Sequence, residues 1–392
     1  VIKAFYGRAP DFSYFQGCSN GGREAMMEVE RYPGDFDGVI AGAPSLWVSS
    51  RLVRIMWETR TGTDADGKQI LTEDAVKLLH AAVIKACDGL DGLKDGQIDD
   101  GRACHYDPQA LVCKKGQSSG CVTQQQAEVM RAFYRGPTDE QGRHLYIGGN
   151  PYGSELLWAG KNSFSMLGAK LAAEQTRYMI YGGKPPLDPD GGFYQPNNPD
   201  LSGFKSAGGK LIVWQGAADP SAGAHTLLDF YQRVRDKSGG FAGTDPFMKM
   251  FLLPGVYHCG GGYMPYEVDL LAPLVRWVES GQAPDALSTV AALPDGKLRT
   301  RPVYAYPAKA QYSGKGDIDD AANFRRARPE PLADAKRPRR CILGVGVARR
   351  FGMDAGSDTH GLTLGQTPLA QTIDDGLVDG TAARRGAGSN TR

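Results

Sequence analysis

The sequence predicts an α/β protein in which a parallel sheet is interrupted by one large insertion. A short apolar strand at 11–17 leads through a glycine-rich turn into an amphipathic helix at 23–32, and a second apolar strand follows at 36–42. Strand, helix and strand in this order form a βαβ unit, whose two strands lie parallel. The same rhythm returns later, with strands at 210–216 and 247–253 and helices at 224–237 and 270–280.

The chain between these two parts lacks that rhythm. Residues 46–204 hold four of the seven cysteines and many scattered aromatic side chains, and we expect them to form a lid over the sheet. Core segments are then expected at 1–45 and 205–324. Residues 325–392 are rich in Arg, Ala and Gly without a sustained period, which predicts a disordered tail or an out-of-frame translation.

Bulk composition excludes some classes of partner. The formal net charge is +1, and no apolar run reaches the roughly 18 residues of a membrane span, so we expect neither nucleic acid nor membrane as a partner. The cysteines form no C-x-x-C pair, and their dispersion favours disulfides and a secreted or periplasmic protein. Free thiols in a cytosolic enzyme remain the alternative. The oligomeric state is not predicted.

A nucleophile motif follows the first predicted strand. The run Gly17-Cys18-Ser19-Asn20-Gly21 is G-x-S-x-G between a strand and a helix, the context in which a sharp turn lifts a serine hydroxyl above a sheet. The backbone N–H of Asn20 then lies at a helix N-terminus, where it can donate to an oxyanion. Ser19 is therefore the candidate nucleophile.

A base and an acid follow Ser19 in the chain order of an α/β-hydrolase. Among six histidines, His258 lies on a loop after the predicted strand at 247–253, while His225 lies inside a predicted helix. Asp219 follows the strand at 210–216, although it could instead cap the next helix. Asp229 is the weaker alternative acid.

The neighbours of the candidate nucleophile and base are both cysteines. If Ser19 and His258 meet at hydrogen-bond distance, then Cys18 and Cys259 can also meet. We therefore expect a disulfide that joins the two catalytic loops.

Two motifs carry a family resemblance. Gly-Cys-Ser-Asn-Gly-Gly-Arg at Gly17–Arg23 and Tyr-His-Cys-Gly-Gly-Gly at Tyr257–Gly262 resemble the paired signature of the tannase and feruloyl esterase family, and the likeness extends from about Val1 to Phe324. It implies an α/β-hydrolase sheet with a large lid. It also implies a serine carboxylic ester hydrolase whose small substrates carry a feruloyl, galloyl or terephthaloyl type of acyl group.

The resemblance also assigns a metal site and two disulfides in the lid. The run at 87–100 is rich in Asp and Gly and by composition could be a plain turn, but the family carries a structural calcium ion at a similar run. The implied ligands are the carboxylates of Asp88, Asp91 and Asp95 and the carbonyls of Leu93 and Gln97. The implied disulfides are Cys87–Cys104 and Cys113–Cys121, which leaves Cys341 over.

One departure from the family suggests an alternative function. Family members have strands before the nucleophile, one of which supplies a second oxyanion donor, and we expect this chain to lack them. The alternative is a catalytically impaired fragment that binds aromatic esters at most, and a peptidase is a third possibility. Trp158 and Phe164 are candidate ring contacts for the substrate, although such aromatics more often pack a lid's own core. Arg177 is one candidate for binding a substrate carboxylate.

Overall fold

A parallel sheet of four strands forms the centre of the computed structural model, and its strands lie side by side in chain order. They are β1 (Tyr14–Cys18), β2 (Gly38–Gly42), β3 (Lys210–Gly216) and β4 (Met248–Leu253). Cys18 lies opposite Gly42, and Gly216 lies opposite Leu253, so the strands' carboxyl ends share one edge. Ligands of open α/β sheets bind at such an edge. The predicted α/β class with a parallel sheet is confirmed.

The structure describes residues 2–139, 141–160, 195–264, 266–293 and 295–328, together with residues 163, 168, 171, 172, 174 and 175. Its helices, in chain order, are α1 (Ile2–Tyr6), α2 (Asn20–Arg31), α3 (Val48–Thr61), α4 (Glu73–Cys87), α5 (Gln124–Arg135), α6 (Ser202–Ser206), α7 (Ala224–Ser238), α8 (Phe241–Thr244) and α9 (Leu271–Ser280). Among the described residues, no helix combines the length and the apolar composition needed to cross a membrane.

Helices cover both faces of the sheet because successive strand residues point to opposite sides. On one face Val39 and Val213 pack against Met26 of α2 and Phe230 of α7. The other face is covered by α9, whose Trp277 packs in the second core cluster. Each of these side chains is buried almost completely, and full burial of one such side chain stabilises the fold by roughly 1.5–3 kcal/mol.

Helix α2 begins three residues before its predicted start because glycine's low helix propensity hides its first turn. Gly22 lies in that turn, and a Cβ added there would stand 2.2 Å from the carbonyl oxygen of Gly42. Close packing of helix on strand therefore requires a residue that helix propensity disfavours. The helix ends before Pro33-Gly34, as predicted.

The insertion at 46–204 contributes helices α3, α4 and α5 and a hydrophobic core of its own. Val76, Leu79, Met130 and Phe133 are buried in this core. Thr72 caps α4, and Thr123 forms a capping box with Gln126 at the start of α5. Short 3₁₀ turns join the helices, at Asp88–Asp91, Gly101–Ala103, Pro108–Leu111 and Glu155–Leu157.

Two small antiparallel sheets follow the parallel one. The first is β5 (Glu267–Val268), β6 (Ala286–Ala292) and β7 (Leu298–Tyr304); the second is β8 (Lys309–Tyr312) and β9 (Phe324–Ala327), preceded by a 3₁₀ turn at Ala321–Asn323. Strand β9 runs three residues past the predicted end of the core segment at 324, because pairing with β8 overrides its charged composition. Residues 329–392 of the predicted tail lie outside the described residues.

Candidate active site

Ser19 occupies a sharp turn between β1 and α2. Its backbone has φ 63° and ψ −117°, in the region that side chains rarely adopt. A Cβ at Gly17 would lie 2.3 Å from the carbonyl oxygen of Gly21, so this turn closes only with glycine there. Hydrogen bonds hold the turn to the end of β2, from Ser19 N to Gly42 O at 2.9 Å and from Ser45 N to Ser19 O at 3.3 Å.

Ser19, His258 and Asp219 form a continuous chain of hydrogen bonds. The Oγ of Ser19 lies 2.8 Å from Nε2 of His258, and Nδ1 of His258 lies 2.8 Å from Oδ2 of Asp219. The His258 side chain is 21% exposed, whereas that of Asp219 is fully buried. This difference in exposure leaves the reacting end of the triad open to a substrate and keeps the acid away from water.

The carboxylate of Asp219 is held from two sides. Its Oδ1 accepts the N–H groups of Ser221 at 2.7 Å and Ala222 at 3.3 Å, and its Oδ2 also accepts Nε2 of Gln215 at 2.6 Å. Burial alone raises the pKa of Asp219, but the hydrogen bond and charge of His258 and the two backbone amides outweigh it, so the pKa is lowered. The acid therefore stays ionised beside its histidine.

The base loop, residues 254–264, docks on the end of β3. A Cβ at Gly216 would lie 2.3 Å from the carbonyl oxygen of Val256, and that oxygen accepts the N–H of Ala218 at 3.1 Å. Cys259 has a positive φ of 60° and is bonded to Cys18, with 5.9 Å between their Cα atoms. The expected bridge between the nucleophile and base loops is thus present.

Asn20 is the first residue of α2 and is exposed. Its N–H belongs to the first turn, where backbone donors have no acceptor within the helix. The N–H therefore lies next to the Ser19 hydroxyl with the helix dipole behind it. This is the arrangement in which an amide can stabilise a developing negative charge.

The insertion also holds the acid loop, residues 217–223. Arg54 of α3 is 2% exposed, pairs with Glu58 at 2.8 Å, and donates to the carbonyl of Pro220 and the side chain of Asn150. Tyr146 donates its hydroxyl to the carbonyl of Ala222 at 3.0 Å. The loop that carries Asp219 is thereby fixed from two points of the insertion.

The alternative acid and the other histidines lie elsewhere. Asp229 pairs with Arg233 at 3.0 Å on α7, and His225 packs beside Gly148. Nδ1 of His80 lies 2.7 Å from Oε2 of the buried Glu155. These groups belong to the helix surface or to packing within the insertion.

Trp158, a predicted ring contact for the substrate, is buried within the insertion. Its ring is only 4% exposed and packs edge-on against Phe133 and Tyr134, while its N–H donates to the Ser154 hydroxyl at 3.0 Å. Trp158 is therefore a core residue of the insertion. Phe164 and Arg177 lie outside the described residues.

The predicted calcium ligands lie on one loop closed by the disulfide Cys87–Cys104. Oxygens of Asp88, Asp91 and Asp95 accept nearby backbone N–H groups. Asp95 also pairs with Arg301 of β7. Among the described residues, no three acidic, histidine or cysteine side chains already stand together as metal ligands. The disulfide Cys113–Cys121 follows this loop.

Sequence reasoning missed Gln215 and Arg54. Gln215 is a polar residue inside the apolar run of β3, four residues before Asp219. Arg54 stands among Leu52, Val53 and Ile55, with Glu58 one helical turn later. A buried polar side chain within an apolar run was the signal in both cases.

Comparisons with known proteins find a matching family profile and several relatives. The family profile described as tannase and feruloyl esterase matches residues 1–183 and 189–327. The mono(2-hydroxyethyl) terephthalate hydrolase of Piscinibacter sakaiensis is 33% identical over 84% of this chain, and a probable feruloyl esterase of Arthroderma benhamiae is 32% identical over 84%. The chain spans 66% of the length of each of these two relatives.

Solved structures are similar as well. Feruloyl esterase B from Aspergillus oryzae superposes with a TM-score of 0.73 at 27% identity, over 83% of this chain and 71% of that one. Tannin acyl hydrolase from Aspergillus niger gives a TM-score of 0.67 at 21% identity, over 83% of this chain and 67% of that one. At that lower identity the likeness speaks for the fold alone.

Proposed function

The chain belongs to the tannase and feruloyl esterase family, and on that premise we propose that it is a serine esterase that cleaves esters of aromatic carboxylic acids. The observation that carries the proposal is the hydrogen-bonded chain from Ser19 through His258 to the buried Asp219. This arrangement activates a serine that would otherwise be a poor nucleophile.

Each group has one role in the reaction. Ser19 Oγ attacks the ester carbonyl while His258 Nε2 takes its proton, and Asp219 stabilises the imidazolium. The Asn20 N–H donates to the oxyanion of the tetrahedral intermediate. His258 then protonates the departing alcohol, and a water molecule that His258 activates releases the acid from the acyl-enzyme. A binding module without turnover would have no use for this assembled triad, so the alternative function is not favoured.

The acyl group is proposed to be aromatic because the relatives are named for feruloyl and terephthalate esters. Release of free acid from methyl ferulate, methyl gallate and the mono(2-hydroxyethyl) ester of terephthalate tests this. We expect turnover of at least one of these esters, and none by Ser19→Ala. Hydrolysis of aliphatic esters alone would reject the aromatic preference. Equal turnover by Ser19→Ala would reject the nucleophile.

A calcium ion on the loop at 88–97 is the second part of the proposal. Its ligands would be the carboxylates of Asp88, Asp91 and Asp95 and the carbonyls of Leu93 and Gln97. The donor set is all oxygen, as calcium prefers, and the closing disulfide limits the loop's freedom before the ion binds. The ion would supply structural stability, since the loop does not touch the triad.

An oxidising compartment is the third part. Three disulfides tie the described residues, and such bonds persist in secreted and periplasmic proteins. Trapping the protein's thiols before and after reduction tests this. Six protected half-cystines in protein isolated from the culture medium or periplasm are expected, and reduced thiols at these positions in fresh cytosolic extract would contradict it.

A further inference from the structure

Gln215 shares one oxygen of the triad acid with His258. It lies near the end of β3, fully buried, and its Nε2 donates to Asp219 Oδ2 at 2.6 Å. The same Oδ2 accepts from His258 Nδ1 at 2.8 Å.

The two donors divide the lone pairs of one oxygen. A carboxylate oxygen has two acceptor sites, and Gln215 fills one while His258 fills the other. The backbone amides of Ser221 and Ala222 hold only Oδ1, so they leave the carboxylate free to rock about that oxygen. The amide of Gln215 removes this freedom and directs the remaining lone pair at Nδ1.

The surroundings argue against a purely structural reason for an amide. Val213, the nearest β3 residue on the same face, is apolar and buried. Among the described residues, the Oε1 of Gln215 finds no partner although it is buried. A buried, half-satisfied amide destabilises a fold relative to an apolar side chain of the same shape. The hydrogen bond from Nε2 of Gln215 to Asp219 explains why a buried amide stands at this position.

We propose that Gln215 is a positioning residue of the triad, which fixes the carboxylate of Asp219 for His258. The proposal rests on the function proposed above. With both acceptor sites of Oδ2 assigned, Asp219 and His258 keep the mutual geometry that proton transfer requires. The titratable neighbours of this pair are the Ser19 hydroxyl, which faces His258 Nε2, and Tyr257, which precedes His258 in the chain.

Three variants test the proposal. Gln215→Leu removes the donor, Gln215→Glu keeps the shape, and Gln232→Leu makes the same change on α7, where the amide bonds to Asp236. Two quantities are measured: kcat and KM for an aromatic ester against pH, and the NMR signal of the His258 Nδ1 proton, which reports its hydrogen bond to Asp219, without substrate. Gln215→Leu is expected to shift this proton signal and to lower kcat about tenfold with KM little changed, the order of one charge-assisted hydrogen bond. Gln232→Leu is expected to change neither.

The glutamate variant gives a second, independent signature. Its protonated carboxyl can donate to Asp219, but its ionised form cannot, so activity is expected to fall as pH rises through the range in which the wild type is level. An unchanged Nδ1 proton signal and an unchanged kcat in Gln215→Leu would overturn the proposal. If that variant does not fold, a wild-type pH profile in Gln215→Glu would overturn it instead. A wild type without esterase activity would refute the proposed function, while the Nδ1 proton signal would still decide the role of Gln215.

Discussion

Cys18 and Cys259 form a disulfide whose two halves are the immediate chain neighbours of Ser19 and His258. The bond spans 241 positions of sequence and lies one residue from the hydrogen bond between nucleophile and base. It therefore limits how far the two loops can separate. This covalent link acts where the chemistry requires a fixed distance of about a hydrogen bond.

Removing this disulfide is expected to reduce turnover more than its effect on stability explains. The free energy of unfolding of the double variant Cys18→Ser, Cys259→Ser should be about 2–5 kcal/mol lower, because a disulfide that closes a long loop contributes most to stability. Its kcat should also fall at temperatures where it is fully folded, because Ser19 and His258 lose their shared tether. Urea unfolding and kcat at low temperature measure the two effects.

The matched control is Cys113→Ser, Cys121→Ser, which opens a small loop in the insertion. It should lower stability without lowering kcat. If both double variants keep wild-type kcat while folded, the tether has no catalytic role.

Asp219→Asn is expected to lower kcat by about 10⁴-fold, the order found when a triad acid loses its charge. The amide can no longer fix the histidine tautomer. Because the pKa of Asp219 is lowered in the folded state, its contribution to stability is present above the unfolded pKa and is lost as pH falls through the folded pKa. Thermal unfolding should therefore be less acid-sensitive in Asp219→Asn below about pH 4. Equal acid sensitivity in both proteins would contradict this.

His225 is expected to make the fold sensitive to mild acid. Burial, together with the nearby positive charge of Arg102, lowers its pKa from 6.5 to about 4. The unfolded chain then binds more protons than the native one between these values, so stability falls as pH drops from 6.5 towards 4. His225→Gln should flatten the dependence of Tm on pH in this window, with His105→Gln as the control. An unchanged slope would show that His225 is protonated without cost.

Arg54→Met is expected to destabilise the fold by about 3–5 kcal/mol, because it removes the guanidinium that pairs with the buried carboxylate of Glu58. Turnover of the folded protein should also fall, since the carbonyl of Pro220 loses its donor beside Asp219. Adding Glu58→Leu should recover part of the stability but not the turnover. Arg8→Met, which breaks an exposed pair with Asp11, should change the free energy of unfolding by less than about 1 kcal/mol.

Calcium is expected to raise Tm without changing the chemistry of the triad. Chelation with EDTA should lower Tm, and added calcium should restore it through preferential binding to the native state. Asp88→Asn should abolish this response. Asp64→Asn, which alters a similar turn elsewhere in the insertion, should retain it. A Tm that ignores both chelator and calcium would refute the site.

Local signals explain which features could be predicted from the sequence. The strands and the Ser19 turn could be predicted because apolar runs and glycines within a few residues mark them. Gln215 and Arg54 could not be assigned roles in this way, because their partners lie in other parts of the fold. Trp158 packs in the core of the insertion, and its contact with a substrate stays a prediction, since an aromatic side chain looks the same in sequence whether it lines a pocket or fills a core.

The hydrogen bonds from Arg54 and Tyr146 to the acid loop also bear on attempts to exchange this insertion between relatives. A chimera that imports residues 46–204 alone would bring the Arg54 guanidinium and the Tyr146 hydroxyl without the acid loop whose carbonyls accept their hydrogen bonds. Donor and recipient segments should instead be cut so that residues 217–223 travel with the insertion. Breakpoints within β2 and after Gly223 would keep the imported insertion matched to its own acid loop. They would also transfer the triad acid, Asp219, to the recipient.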